Sequence, residues 1–319
     1  MDRRDFLLGA GAALVASCAA SSSVVRRARR FRFVHVDVFT AQPLAGNPLD
    51  VFLDARGLGD AEMLALTRET YLSEATFVLP RDAATERERG IRVRIFGSDG
   101  ELPFAGHPTL GSAAVLRPPG AREVALELNV GKVPVRFTDD ATGGTFGEMQ
   151  QVAPSFGATH DRATIAGLHG LTAADLDDLP IQTVSTGLPF AIVPLRRLAA
   201  LQALRIDADK MTAYVAKQEP NFGFYYVTRD TGDPGVALRA RCVYPGGEDA
   251  ATGSAAGCTA AWLVRYGVAA PDARVHIRQG VEMKRTSDLF VRAGRDGDRI
   301  ANVRVGGNAV QTMAGEVTL

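Results

Sequence analysis

From Phe31 onward the chain alternates apolar and polar residues. Phe31-Arg32-Phe33-Val34-His35-Val36-Asp37-Val38-Phe39 and Ile91-Arg92-Val93-Arg94-Ile95-Phe96 read as strands with one buried face. Between them the pattern predicts one helix over residues 61–70, with Asp60 as N-cap and Met63, Leu64 and Leu66 on the buried side. The chain then turns through Leu72-Ser73-Glu74 into a strand from Ala75 to Leu79. A second helix is predicted to start at Pro108, because proline suits the first helical position, and to stop before Pro118-Pro119. Strands follow around residues 123–135, then at 190–195, 222–228 and 236–244, with helices at 161–170 and 207–218. Ser254 to Tyr266 reads as a third long helix, with Gly267 as its C′ glycine. Strand-like pieces near Val275, Leu289 and Val303 complete the pattern.

This order is not a regular strand–helix alternation, so it predicts an α+β fold over a doubly wound sheet. Each half holds a strand meander that feeds one alanine-rich helix. At each helix start stand a glycine and a polar residue: Gly106-His107-Pro108-Thr109 in the first half, Thr252-Gly253-Ser254 in the second. Two similar halves related by a pseudo-two-fold axis would bring both helix starts into the cleft between them. Unpaired amides there favour an anion.

A length of 319 residues fits two domains or one fold of two halves. The predicted division is residues 1–30 as leader and tether, 31–130 as the first half, completed by a C-terminal strand at about 305–319, and 131–304 as the second half. Hydrophobic residues make up 46% and charged residues 23%, as in ordinary globular proteins. Lys plus Arg equals Asp plus Glu at 36 each, and the body carries no basic stripe, which argues against nucleic acid as a partner. No CxxC pair, HExxH or clustered His/Cys spacing points to a metal.

The leader is a different material. Arg3-Arg4-Asp5-Phe6-Leu7 is a twin-arginine pattern, followed by an uncharged run to Ala20 that is too short for a permanent span. Val15-Ala16-Ser17-Cys18 fits a lipobox, so the expectation is export by the twin-arginine route to the periplasm or cell envelope, with Cys18 as the lipid-bearing residue. Arg26, Arg27, Arg29 and Arg30 would then lie beside the membrane or form a solvated linker. Such substrates fold before translocation, in a reducing compartment, which favours Cys242 and Cys258 as free core thiols over a disulfide.

The segment Glu248-Asp249-Ala250-Ala251-Thr252-Gly253-Ser254-Ala255-Ala256 concentrates the chemistry. With Asp37-Val38-Phe39-Thr40, Gly46-Asn47-Pro48, Leu72-Ser73-Glu74-Ala75-Thr76-Phe77-Val78, Glu101-Leu102-Pro103-Phe104-Ala105-Gly106-His107-Pro108-Thr109 and Gln279-Gly280, it resembles, in order, the signature segments of the PhzF-like phenazine-biosynthesis family. That resemblance implies the diaminopimelate-epimerase fold, each half a mostly antiparallel sheet or barrel around a central helix, with the active site between them. It implies no cofactor and Glu74 as the general acid/base. A carboxylate flanked by Leu72, Ala75 and Phe77 loses hydration, which raises its pKa toward a range where it can take and return a proton. His107 is expected to donate to a substrate carboxylate or relay a proton. Asp249 matches a position that holds polar substrate groups or serves as a second acid/base. Gly106, Gly253 and Ser254 would bind the substrate, a capping arrangement being the bland alternative for Asp249 and Thr252. Ala250 and the run Gly97-Ser98-Asp99-Gly100 depart from the family pattern.

The predicted function is a cofactor-independent isomerase or epimerase acting on a small carboxylate-bearing substrate. The export signal favours a substrate other than the phenazine precursor, and a homodimer is compatible with this reading. The competing reading is an envelope-tethered protein that binds a small carboxylate without catalysis. A hydrolase has less support, because Ser254 lacks a G-x-S-x-G elbow.

Overall fold

The computed structural model describes residues 28–139 and 145–319. The twin-arginine segment and Cys18 lie outside the described residues.

Strand β1 (Arg30–Val38) buries Phe31, Val34, Val36 and Val38. The change of phase in that series follows from a register shift at His35/Val36. It pairs antiparallel with β2 (Asn47–Phe52), and a crossover through α1 (Asp60–Glu69) brings β3 (Glu74–Val78) parallel to β2. Helix α2 (Ala83–Arg89) leads to β4 (Ile91–Gly97), antiparallel to β3, which turns into the short β5 (Gly100–Leu102). After α3 (Gly106–Leu116) come β6 (Glu123–Leu128), parallel to β4, then β7 (Gly131–Asp139) and β8 (Thr145–Gln150).

The second half repeats this order: β9 (Ser155–Thr159), α4 (Arg162–Leu168), β10 (Gln182–Ser185), β11 (Pro189–Leu195), α5 (Leu198–Gln202), α6 (Ala208–Val215), β12 (Gly223–Thr228) and β13 (Leu238–Tyr244). Then come β14 (Gly247–Asp249), α7 (Gly253–Arg265), β15 (Val275–Gln279), β16 (Ser287–Asp296) and β17 (Arg299–Thr318). The parallel steps β11–β12 and β13–β15 occupy the same places as β2–β3 and β4–β6, so the pseudo-symmetry extends to strand direction.

Strand β17 belongs to both halves. Residues 299–306 pair with β16, 304–308 with β8 and 309–318 with β1. This closes an eight-stranded barrel of β1, β2, β3, β4, β6, β7, β8 and β17 around α3. The boundary expected at residue 130 is corrected by the pairing: it falls inside the β6–β7 hairpin, where Leu128 faces Gly131, and β7 and β8 are staves of the first barrel.

Both central helices are buried on all sides, residues 106–113 of α3 and 253–264 of α7 being inaccessible. Their small side chains let the staves approach, and an all-round buried helix shows no amphipathic period. A Cβ on Gly111 would lie 2.7 Å from Leu49 Cδ2.

Several element ends differ from the sequence expectation. Helix α3 starts at Gly106, so His107 stands in its first turn and not ahead of it, with extended Ala105 as the cap residue. Helix α7 likewise starts at Gly253. Gly59, not Asp60, precedes α1, because the Asp60 carboxylate accepts from Arg94 Nη1 at 2.7 Å. Arg29 and Arg30 are not a solvated linker either. Arg29 exchanges both backbone hydrogen bonds with Leu319 and pairs with Glu62, and Arg30 opens β1. Cys242 and Cys258 are both buried and unpaired.

Candidate active site

The two central helices meet at their N-termini. A Cβ on Gly106 would lie 2.6 Å from Gly253 Cα and 2.7 Å from the Ser254 nitrogen, so only glycine permits this approach. Neither helix has a side-chain cap. Thr252 precedes α7 but spends its hydroxyl on Asp249 Oδ2 at 2.7 Å, so first-turn amides are left to a ligand, with the positive ends of two helix dipoles side by side.

They open onto a cavity of about 740 Å³ between the halves, lined by Glu74, Gly106, His107, Asp249, Gly253 and Ser254 among others. The structure therefore brings together every site residue read from the sequence except Cys18, which lies outside the described residues. Tyr71, Leu72, Phe190, Phe222, Tyr244 and Met283 give the cavity apolar walls. Among the described residues no group of three His, Cys, Asp or Glu is arranged to hold a metal ion.

Glu74 opens β3 and points its Oε2 inward, where that atom is buried without a hydrogen-bond partner. His107 Nε2 is equally unpartnered and lies 3.6 Å away. Unpaired buried polar atoms are costly in a finished fold, and two of them facing one cavity mark a place prepared for something else. Burial, reinforced by the Asp249 charge, pushes the Glu74 carboxyl up to about 8, while a hydrogen bond from Ser73 acts in the opposite sense. Burial also raises Asp249, but only to about 6, because hydrogen bonds from Thr252, Asn47 and the backbone at Ala250 and Ala251 favour its anion. Near neutral pH the pair thus holds one proton, chiefly on Glu74, the less hydrogen-bonded of the two. His107 is pushed down to about 3 by burial, so it stays neutral at physiological pH.

Asn47 and Gln279 are site residues that the sequence does not mark as such, although both sit in the quoted motifs, and Thr252, read there as a possible cap, joins them. Asn47 Nδ2 donates to Asp249 Oδ1 at 2.7 Å and to the Ala251 carbonyl at 2.9 Å. Gln279 Nε2 donates to the Asp249 carbonyl at 2.8 Å and to Thr252 Oγ1 at 3.0 Å, and its Oε1 accepts from Tyr225. Arg285, on the cavity wall, bonds to Asp37 and to the carbonyls of Ala45 and Gly46, which ties the loop leading into Asn47 to the other half.

The family model for phenazine biosynthesis-like proteins, PhzC-PhzF, matches residues 36–315. The chain is 34% identical over 295 residues to the trans-2,3-dihydro-3-hydroxyanthranilate isomerase of Pseudomonas aeruginosa, which covers 90% of this chain and 99% of that one. Its structure is similar to that of a Bacillus anthracis phenazine biosynthesis protein of the PhzF family, with a TM-score of 0.80 at 26% identity over 91% of this chain and all of that one. A Pseudomonas aeruginosa protein described as a predicted epimerase gives a TM-score of 0.75 at 36% identity, covering 90% and 99% of the two chains.

Proposed function

The chain belongs to the PhzC-PhzF family of phenazine biosynthesis-like proteins and is an isomerase, and from that premise we propose that Glu74 moves a proton between two positions of a small carboxylate-bearing substrate without a cofactor. The substrate carboxylate lies against the first-turn amides of α3 and α7, with the Ser254 side chain beside it. Glu74 takes the proton from a carbon next to a π system, the double bond shifts, and the same carboxyl returns the proton to another carbon or to the opposite face. No atom is gained or lost, and negative charge developed between the two steps is stabilised by the helix amides and the His107 N–H.

The facing pair of buried, unpartnered atoms, Glu74 Oε2 and His107 Nε2, carries this reading. A pKa near 8 makes the ionised glutamate a stronger base than an exposed one, and its acid form is populated at neutral pH and ready to give the proton back. The Pseudomonas aeruginosa relative acts on trans-2,3-dihydro-3-hydroxyanthranilate, and that compound is the first to try, followed by cyclic and unsaturated amino acids.

The test is incubation of these compounds with the protein in deuterated water. Solvent deuterium is expected at carbon with the wild type and about 10²- to 10⁴-fold more slowly with Glu74→Gln. Exchange that is untouched by the substitution removes Glu74 from its role. A ligand that binds tightly but exchanges in neither protein removes the isomerase assignment of this cavity.

A further inference from the structure

The amide nitrogen of Asn47 carries two hydrogens and lies near three polar atoms. Its Nδ2 lies 2.7 Å from Asp249 Oδ1, 2.9 Å from the Ala251 carbonyl oxygen and 3.1 Å from His107 Nδ1. The first two partners can only accept, so turning the amide over would set oxygen against oxygen at both. The NH₂ end is therefore fixed toward this corner. An NH₂ group cannot accept a hydrogen bond, so His107 Nδ1 must present its lone pair to it. A neutral imidazole with a bare Nδ1 carries its single proton on Nε2. That Nε2 is the buried, unpartnered atom 3.6 Å from Glu74 Oε2.

We propose that Asn47 is a positioning residue that fixes the proton of His107 on Nε2, so that the histidine faces Glu74 and the substrate as a permanent neutral donor and takes no part in proton relay. This rests on the reading of the cavity as a proton-transfer site. The sequence leaves two roles open for His107, and this one excludes the relay. The carboxyls of Glu74 and Asp249 share the cavity with the imidazole, and burial keeps the ring neutral although both are acidic. A neutral N–H steadies charge on an oxygen or carbon nearby without protonating the glutamate when that is needed as a base. One amide thereby sets two polarities. It holds Asp249 as an anion and His107 as a donor, across the boundary between the halves.

The test is nitrogen-15 NMR of the ligand-free full chain at neutral pH, with the His107 signals assigned by their disappearance in His107→Gln. The wild type is expected to show a bare, pyridine-like Nδ1 and a protonated Nε2. Asn47→Asp replaces the donor by an acceptor and is expected to move the proton, so that the Nε2–H signal is lost and a protonated Nδ1 appears. Should that variant not fold, Asn47→Ala removes the constraint and is expected to give averaged signals from both tautomers. A merely structural role for Asn47 would leave the tautomer alone. A protonated Nδ1 in the wild type, or an unchanged Nε2–H pattern in the folded variants, overturns the proposal. No substrate is involved, so failure of the isomerase reading would appear in the deuterium experiment and leave this result standing.

Discussion

Replacing Gly106 by alanine sets two effects of opposite sign against each other. Within a helix, alanine is favoured over glycine by roughly 0.5–1 kcal/mol, so propensity alone predicts a more stable protein. The contact between the two helix starts predicts the reverse. The added carbon would lie 2.6 Å from Gly253 Cα, 2.7 Å from the Ser254 nitrogen and 2.8 Å from the Gly253 carbonyl carbon. All three are backbone atoms, so no rotamer change relieves the clash, and ordinary contact near about 3.5 Å requires the helices to part by about 0.9 Å. Overpacking of this kind costs about 1–3 kcal/mol, here toward the upper end. After the propensity gain is subtracted, a net loss of about 1–2 kcal/mol remains, or roughly 2–8 °C in Tm. The same displacement spreads the amides that would hold the carboxylate, and a shift near 1 Å at reacting groups costs on the order of 10²-fold in rate. Thermal unfolding and deuterium exchange should be followed together, with Gly167→Ala in α4 as the control. Nothing lies within 4 Å of a Cβ at that position, so its Tm should hold or rise. A Gly106→Ala protein with wild-type Tm and wild-type exchange would refute the close apposition of the two helices.

Two further outcomes follow from charges in the same region. Burial raises Glu74 from 4.5 to about 8, so the folded protein binds that proton more tightly than the unfolded chain. The stability it contributes is complete below about pH 4.5 and is lost as pH rises through 8. Because each tenfold difference in proton affinity between the folded and unfolded chain corresponds to about 1.4 kcal/mol, Glu74→Gln should be more stable than wild type at about pH 9, by up to about 5 kcal/mol, and lose that advantage by about pH 5. Denaturant titrations at the two pH values check this, and an equal difference at both refutes it. Arg285→Met leaves the carboxylate of Asp37, which is 1% exposed, without its cation. A loss of about 3–5 kcal/mol is expected in the unfolding free energy from denaturant titration, with partial recovery in Arg285→Lys, and a change under about 1 kcal/mol would show that the ion pair does not secure this loop.

Strands β1 and β4 and the two central helices are legible in the sequence because each carries a local signal: alternation in β1 and β4, small residues after a glycine in α3 and α7. Helix α2 is not, since Ala-Ala-Thr-Glu-Arg-Glu-Arg buries nothing and has no apolar period. Its Asp82 cap, which accepts from the amides of Ala84 and Thr85, is the signal to be had. Glu74, His107, Asp249 and Ser254 stand in motifs whose members lie close in sequence. The part of Asn47 cannot be found that way. Its partners Asp249 and Ala251 lie 202 and 204 residues away, and nothing in Gly46-Asn47-Pro48 says which way an amide will face. Arg285 escapes for the same reason, because its ties to Ala45 and Asp37 cross 240 and 248 residues.

The shared strand β17 has a consequence for the order in which the protein can be built. Its last ten residues pair with β1, the first strand, and its first eight with β16 of the other half, so the ring around α3 stays open until residues near 318 have been synthesised. Domains made in sequence ordinarily fold as they emerge from the ribosome; here the early half must wait for the late one. The most distant pairings in the chain are thus also the ones that seal the first barrel, which predicts slow, concerted folding in which the cavity and the barrel beside it form in the same step.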